Sequence, residues 1–408
     1  MRQLAAVQHS KHLMLLRFLK ERYSSAPECG EAVAVLMRAE RRDERAVADL
    51  LSDPMVGAWA VSTTRRIRAD HNGHAVPLTA ELAQFGALAA AAAVRAGEDA
   101  EVRTRALFGT VTLPTLGGAV LGSNGPAVVT VSGGRARVID AATSVTVGAD
   151  NPRWRILRRL VAHHGGLTGS LAIEDGNPYR SAYHVPAAGR LRVEEVRHWQ
   201  ECFTEAWQLL AQWHPERAAE LTAGLRSVVP LVSPGDGVAR SGTARDSFGI
   251  LGLTPPTSGA DLAVTLVHEF QHSKLSALLD VAPLYRPDGE ERHFAPWRAD
   301  ARPTGGLIQG VYAFLGVADT WRALRSAPGL KESATREFAI VREQVAVGLT
   351  ALEGSAELTT KGRRFTAGLR QAVDALSAER VPRSATDVAL RILDRRRNEW
   401  RRDNPNAS

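Results

Sequence analysis

Apolar positions recur in two different rhythms along the 408 residues, and each change of rhythm marks a new part of the chain. "AELAQFGALAAAAAVRAG" is rich in alanine, the strongest helix former, with apolar spacing that suits a helix, and residues 1–105 are expected to be mostly helical. From 106 to 150 the texture shifts to β-branched residues punctuated by Gly and Pro ("AVVTVSGGRARVIDAATSVTVG"), which predicts short antiparallel strands. "SLAIEDGNPYRSAYHVPAAGRL" reads as irregular, bounded by turn residues. Two helices are expected next, "RVEEVRHWQECFTEAWQLLAQWH" and "PERAAELTAGLRSVV", the second with Pro215 in its first turn. "VPLVSPGDGVARSGTARDSFGILGLTPP" reads as strand, polar loop, strand. Beyond it the pattern predicts a helix over about 259–280, a loop, the helix "GLIQGVYAFLGVADTWRALR", a long helix over 331–353 and a frayed tail, "NEWRRDNPNAS".

These elements predict an α+β fold, predominantly α-helical, with a small strand-rich section and a metal site on a long helix. The expected parts are an N-terminal helical region (1–105), the strand-rich section (106–150), a helical metal-binding catalytic domain (151–380) and a C-terminal helix and tail (381–408).

Composition narrows the class. With 44% apolar and 23% charged residues, the chain sits in the range of ordinary globular proteins. No apolar run approaches the ~18 residues needed to span a bilayer, so no membrane partner is expected. The first residues lack the apolar core and cleavage site of a secretory signal, so a cytoplasmic location is expected. Cys29 and Cys202 have no metal-ligand spacing and form no disulfide framework. No CxxxCxxC run is present, which excludes a radical-SAM iron–sulfur site in this chain. The net charge of +7 raises nucleic acid as a partner, but only five of the 51 basic residues are Lys and the rest are scattered. Nucleic acid is therefore not expected, and an acidic peptide uses the excess charge equally well.

Candidate chemistry centres on "TLVHEFQHSKLSALLD" (265–280), which holds a His-Glu-x-x-His pattern. On a helix, positions four apart share a face, so His268 and His272 can chelate one ion, and imidazoles suit zinc or ferrous iron. Leu262, Leu266, Val267, Phe270, Leu275 and Leu279 make the surrounding helix apolar, which weighs against two solvated histidines meeting by coincidence. The zinc-peptidase patterns are met only in part: Leu275 and Leu278 stand where a metzincin has Gly and His. Glu290, Glu291 and His293 fall in a Pro- and Gly-containing loop. On the helix over 331–353, Glu337 projects at the border of the apolar face made by Phe338, Val341, Val345, Leu349 and Leu352. A carboxylate there either pairs with a cation or ligates a metal. Glu337 is taken as the third ligand, with Asp280 as a rival. Gln309 is a weak ligand, an outer hydrogen-bond donor or a satisfied core amide.

Arg298 and Arg302 lie four apart beside Trp297 in "APWRADARP". Together they form a candidate clamp for a carboxylate-bearing cosubstrate such as 2-oxoglutarate, or they close a loop onto a helix end. Arg240, Ser241 and Arg245 in "ARSGTARDSFG" either hold an acidic substrate or face solvent.

The runs "LVHEFQHSKLSALLD…PLY", "FAPWRADARPTGGLIQGVYAFLGV" and "REQVAVGLTALEGSAELTTKGRRF" resemble the αKG-HExxH peptide β-hydroxylases of ribosomal-peptide biosynthesis. "NPYRSAYH", "VVPLV" and "FGILGLT" extend the resemblance over roughly residues 108–375. Members occur alone or fused behind a radical-SAM domain. The resemblance implies a non-haem Fe(II) centre with a 2-His-1-carboxylate triad, 2-oxoglutarate and O2, acting on the β-carbon of a residue in a precursor peptide. The motif histidines carry over onto His268 and His272. Position 309 is Gln where some relatives carry His. Under this expectation Glu269 orients a histidine or arginine, whereas in a zincin-type zinc metallopeptidase it activates the metal-bound water. A radical-SAM maturase of the same pathway is a candidate second partner. A third class is a catalytically silent peptide-binding module.

Overall fold

The computed structural model describes residues 1–24, 27–69, 76–148 and 150–404. The fold is α+β and mostly helical. The chain divides into two compact units, each assembled from separated stretches: Met1–Leu160, Ser170–Val196 and Arg226–Pro255 form one, and Val161–Gly169, Arg197–Leu225 and Pro256–Ser408 the other.

The first unit opens with six helices: α1 (Arg2–Tyr23), α2 (Pro27–Arg42), α3 (Glu44–Leu51), α4 (Pro54–Ala69), α5 (Leu78–Leu82) and α6 (Gln84–Ala96). The alanine run of α6 is wholly buried, Ala89 to Ala93 being at most 1% exposed. Small side chains let its neighbours approach closely; a Cβ on Gly86 would lie 1.8 Å from the backbone oxygen of Arg103.

Strands follow: β1 (Ala100–Ala106), β2 (Thr110–Leu113), β3 (Gly117–Val120), β4 (Gly125–Ser132), β5 (Arg135–Ile139), β6 (Ser144–Thr146), β7 (Trp154–Ile156), β8 (Arg159–His164) and β9 (Leu167–Ile173). An antiparallel sheet runs β1-β4-β5-β6. A smaller one runs β2-β3-β7. Later strands β10 (Ser227–Pro230), β11 (Ser241–Thr243) and β12 (Ile250–Leu253) join the earlier pair in the order β11-β12-β10-β9-β8. Within it β10 is parallel to both β9 and β12.

Strand structure thus reaches well beyond 106–150. β1 begins inside the region expected to be helical, because its outward Glu101, Arg103 and Arg105 dilute the apolar signal of inward Val102, Thr104 and Ala106. The stretch read as irregular begins with part of β9, and "SVV", read as the end of a helix, is β10, buried at every position. Fully buried short strands carry no alternation, so periodicity does not separate them from helix ends.

The second unit holds most of α7 (Val193–Trp213), then α8 (Pro215–Gly224), α9 (Gly259–Leu279), α10 (Thr304–Leu324), α11 (Lys331–Glu353), α12 (Thr360–Ser377) and α13 (Arg383–Asp403). Its core gathers Leu275, Leu307, Ile308, Val311, Phe338, Val345, Leu349 and Leu352. The helix expected to fray continues to Asp403, held by Trp400, which is 5% exposed; residues 405–408 lie outside the described residues.

Candidate metal centre

The site is built on α9. Ser258 caps its start, its hydroxyl accepting from the Asp261 amide at 3.1 Å. The Glu205 carboxylate accepts from the Gly259 amide at 3.1 Å, at a point where a Cβ on Gly259 would collide with the Glu205 side chain. Further along, buried Lys274 donates to Glu220 at 2.8 Å. Apolar residues fill most of the remaining surface, so the helix is buried around nearly its whole girth.

Helical spacing puts the two histidines one turn apart on one face. The Nε2 atoms of His268 and His272 stand 3.2 Å apart, with the rings nearly perpendicular at 84°. Two nitrogens each about 2.1 Å from a shared ion sit roughly 3.0–3.4 Å apart at octahedral to tetrahedral angles, so the pair has the spacing of a chelate.

Gln309 on α10 orients the His272 ring. Its Nε2 donates to Ser276 Oγ at 3.3 Å, which leaves its Oε1 to accept from His272 Nδ1 at 3.0 Å. A neutral His272 protonated at Nδ1 carries its lone pair on Nε2, the atom that faces His268. Both ends of the Gln309 amide are thus hydrogen-bonded, and its contact with His272 is to Nδ1, on the far side of the ring from Nε2.

Aromatic side chains wall the pair. Phe314 meets His268 edge-on with ring centroids 5.0 Å apart, and Trp297 stacks on Phe314 at 4.7 Å. Gly310 and Gly348 leave room for the indole, since a Cβ on either would approach it within 2.7 Å. The loop bearing Arg298 and Arg302 is thereby anchored beside the histidines through Trp297. Phe314 carries no sequence signal of a site, and Trp297 enters the sequence reading only as the neighbour of Arg298 and Arg302.

Glu269 is 3% exposed, and its Oε1 lies 3.9 Å from His268 Nε2. Arg298 and Arg302 converge as a pair, but on Asp300: Arg298 Nε donates to Oδ1 at 2.7 Å and Arg302 Nη1 to Oδ2 at 3.0 Å. These two guanidiniums hold the Asp300 carboxyl down at about 2.

Glu337 is not brought to the histidines. Among the described residues no group of three or more His, Cys, Asp and Glu side chains could hold a metal ion. The Glu337 side chain is 39% exposed, with its carboxylate 3.6 Å from Arg336 on the same helix. Helical periodicity locates a residue on a face, and the border of that face here opens to solvent. Of the loop acids, Glu291 is engaged elsewhere: its carboxylate accepts from the Ala356 amide at 3.1 Å, and its own amide donates to the Glu357 carboxylate at 2.7 Å. His293 bonds Thr304 at 3.0 Å. That network fastens the loop to the turn after α11.

Burial, then the neighbouring His272, push the His268 pKa down from its ordinary 6.5 to about 4, with Glu269 opposing. The folded chain therefore resists a proton that the unfolded chain takes up. Stability tied to His268 is complete above pH 6.5 and is lost as the pH falls toward 4. The full difference corresponds to roughly 3 kcal/mol; with 20% of the side chain exposed, about 2 kcal/mol is expected. Denaturant melts between pH 7 and pH 4.5 should show the parent losing that much more stability than His268→Gln. Parallel losses in the two proteins would contradict it.

No helix among the described residues is long and apolar enough to cross a membrane. No protein-family model matches this chain, and no curated protein matches it.

Proposed function

We propose that His268 and His272 hold one divalent ion, and that the chain is an iron- and 2-oxoglutarate-dependent oxygenase hydroxylating a side chain of a ribosomally made precursor peptide. The observation that carries the metal-binding part is the convergence of two imidazole Nε2 atoms to 3.2 Å, with Gln309 holding His272 in the tautomer a metal ligand requires. The choice of iron and a peptide substrate is supported by the resemblance quoted above. When bound, the ferrous ion would let O2 act as the oxidant, one of its oxygen atoms entering the peptide's C–H bond and the other leaving in the succinate formed as 2-oxoglutarate loses CO2.

The residues fit the ion as a two-point chelate, while the acidic third ligand of a facial triad is missing from the described groupings. In the proposal His268 and His272 would be the chain's own donors to the ion, and its binding would lean on the cosubstrate. Arg298 and Arg302 already meet around one carboxylate, and a cosubstrate's carboxylate would take the place of Asp300. Phe314 and Trp297 keep water from one side of the pair and fix the His268 ring. Glu269, buried next to His268, acts by orientation and charge. A radical-SAM enzyme modifying the same precursor is the proposed further partner.

A zinc metallopeptidase is the second reading, and one observation favours it. The Glu269 carboxylate lies 3.9 Å from His268 Nε2, close enough that it would serve as the general base of a zinc-held water.

Co-expression with a precursor peptide tests the choice. An O2-dependent gain of one oxygen atom supports the oxygenase, and zinc-dependent peptide fragments support the peptidase. Replacing Gln309 with Leu should weaken ferrous-ion affinity by about 10- to 100-fold without unfolding the helix pair, as loss of an outer partner does. Equilibrium dialysis reads this directly, and an unchanged affinity would show that Gln309 does not tune the pair.

A further inference from the structure

The first unit holds a second concentration of polar chemistry, in a narrow cleft with a volume of about 40 Å³. Its walls come from β2 (Thr110, Thr112), β7 (Arg155) and the segment after β9 (Glu174, Asp175, Asn177). That segment follows a strand parallel to β10, and the carboxyl ends of parallel strands are where open sheets place ligands.

Acceptors in this cleft are mostly consumed. Asp175 is 2% exposed; its Oδ1 accepts from Arg190 at 2.7 Å, and its Oδ2 accepts from the Leu191 amide at 3.1 Å and from Arg158. Asn177 Oδ1 accepts from the Tyr179 amide at 3.0 Å.

Donors are not consumed. Among the described residues the Arg155 guanidinium, the Asn177 amide nitrogen and the hydroxyls of Thr110 and Thr112 make no hydrogen bond or ion pair. Glu174 is 4% exposed, and its carboxyl likewise has no hydrogen-bonding partner among the described residues. Burial, then Asp53 and Asp175 close by, raise its pKa well above the ordinary 4.5. That favours the neutral acid, whose O–H is one more donor. A buried polar group left facing a cleft is costly unless something enters to pair with it.

We propose that this cleft binds a carboxylate group. The lining presents free donors with one unpaired cation, Arg155, which matches a single negative charge. A phosphate dianion concentrates two charges on one group and would leave one of them unneutralised, whereas the second carboxylate of a longer diacid can stay in solvent. The carboxylate comes from a small organic acid or from the free C-terminus of a peptide. The inference does not rest on the histidine pair.

Calorimetric titration of the full chain tests it, using glutarate, inorganic phosphate, and one peptide made with a free and with an amidated C-terminus. The expected result is binding of glutarate, the free-acid peptide or both, with phosphate weaker and the amidated peptide silent. Glutarate binding points to a small acid, and binding of the free-acid peptide alone points to a chain terminus. Arg155→Ala, at an exposed position that leaves the thermal melt unchanged, should weaken binding by about 10- to 100-fold. Glu174→Gln, which keeps a donor, should stay within about 3-fold of the parent, while Glu174→Leu loses binding. The proposal is overturned if neither carboxylate binds at up to about 10 mM, if phosphate binds more tightly, or if Arg155→Ala leaves affinity unchanged.

Discussion

Alanine at His268 or at His272 is expected to lower affinity for Fe(II) by more than about 100-fold, exceeding the typical effect of losing an outer partner. Each substitution removes half of a two-point chelate, and no third acidic or imidazole group among the described residues is placed to compensate. The two variants should lose affinity alike, because each leaves a single imidazole. They should differ in stability. His272→Ala strands the Gln309 carboxamide oxygen, whereas His268→Ala opens a space against Phe314. Metal content after anaerobic dialysis measures the first effect, and denaturant melts the second. Retained metal in either single variant would place the ion elsewhere and end the proposal.

Replacing Glu269 with Gln separates the two enzymatic readings. In a peptidase its carboxylate takes a proton from the attacking water, and the change should cost about 100- to 10,000-fold in rate. In an oxygenase it contributes orientation, and hydroxylation should fall by no more than about 10- to 100-fold, the range of an outer-partner loss. Gln keeps the size of the buried side chain, so the helix should survive. Rates of peptide cleavage and of oxygen insertion, compared for parent and variant with the same peptide, decide between them.

How far the sequence reaches can be judged residue by residue. The motif helix was legible because its apolar residues, cap and histidine spacing are all local: α9 spans Gly259–Leu279 against an expected 259–280. The convergence of His268 and His272 follows from the i, i+4 relation alone. What surrounds the pair was less legible. Gln309 lies 37 residues from His272, and its role depends on Ser276 turning its amide. Trp297 and Phe314 are partly buried, packing against the core of the unit while they border the pair, and large apolar side chains of that kind carry no mark of a site. Glu337 shows the limit of face arguments: periodicity puts it beside Phe338, which is fully buried, yet its own carboxylate stays near water and Arg336. The strands from Ala100 to Ile173 outran the expected section for a related reason. Charged outward residues in β1 and the unbroken apolar end of β9 hide the alternation that identifies strands.

If two imidazoles are all the protein supplies, the ion and 2-oxoglutarate must bind cooperatively, because each provides part of the other's site. An anaerobic titration of Fe(II) with and without 2-oxoglutarate, followed by visible absorption, reads that linkage directly. The expected outcome is a weak band on adding both, at one ion per chain, with iron affinity rising in proportion to the cosubstrate and the band absent in His268→Ala. No band, together with iron affinity indifferent to 2-oxoglutarate, would contradict it.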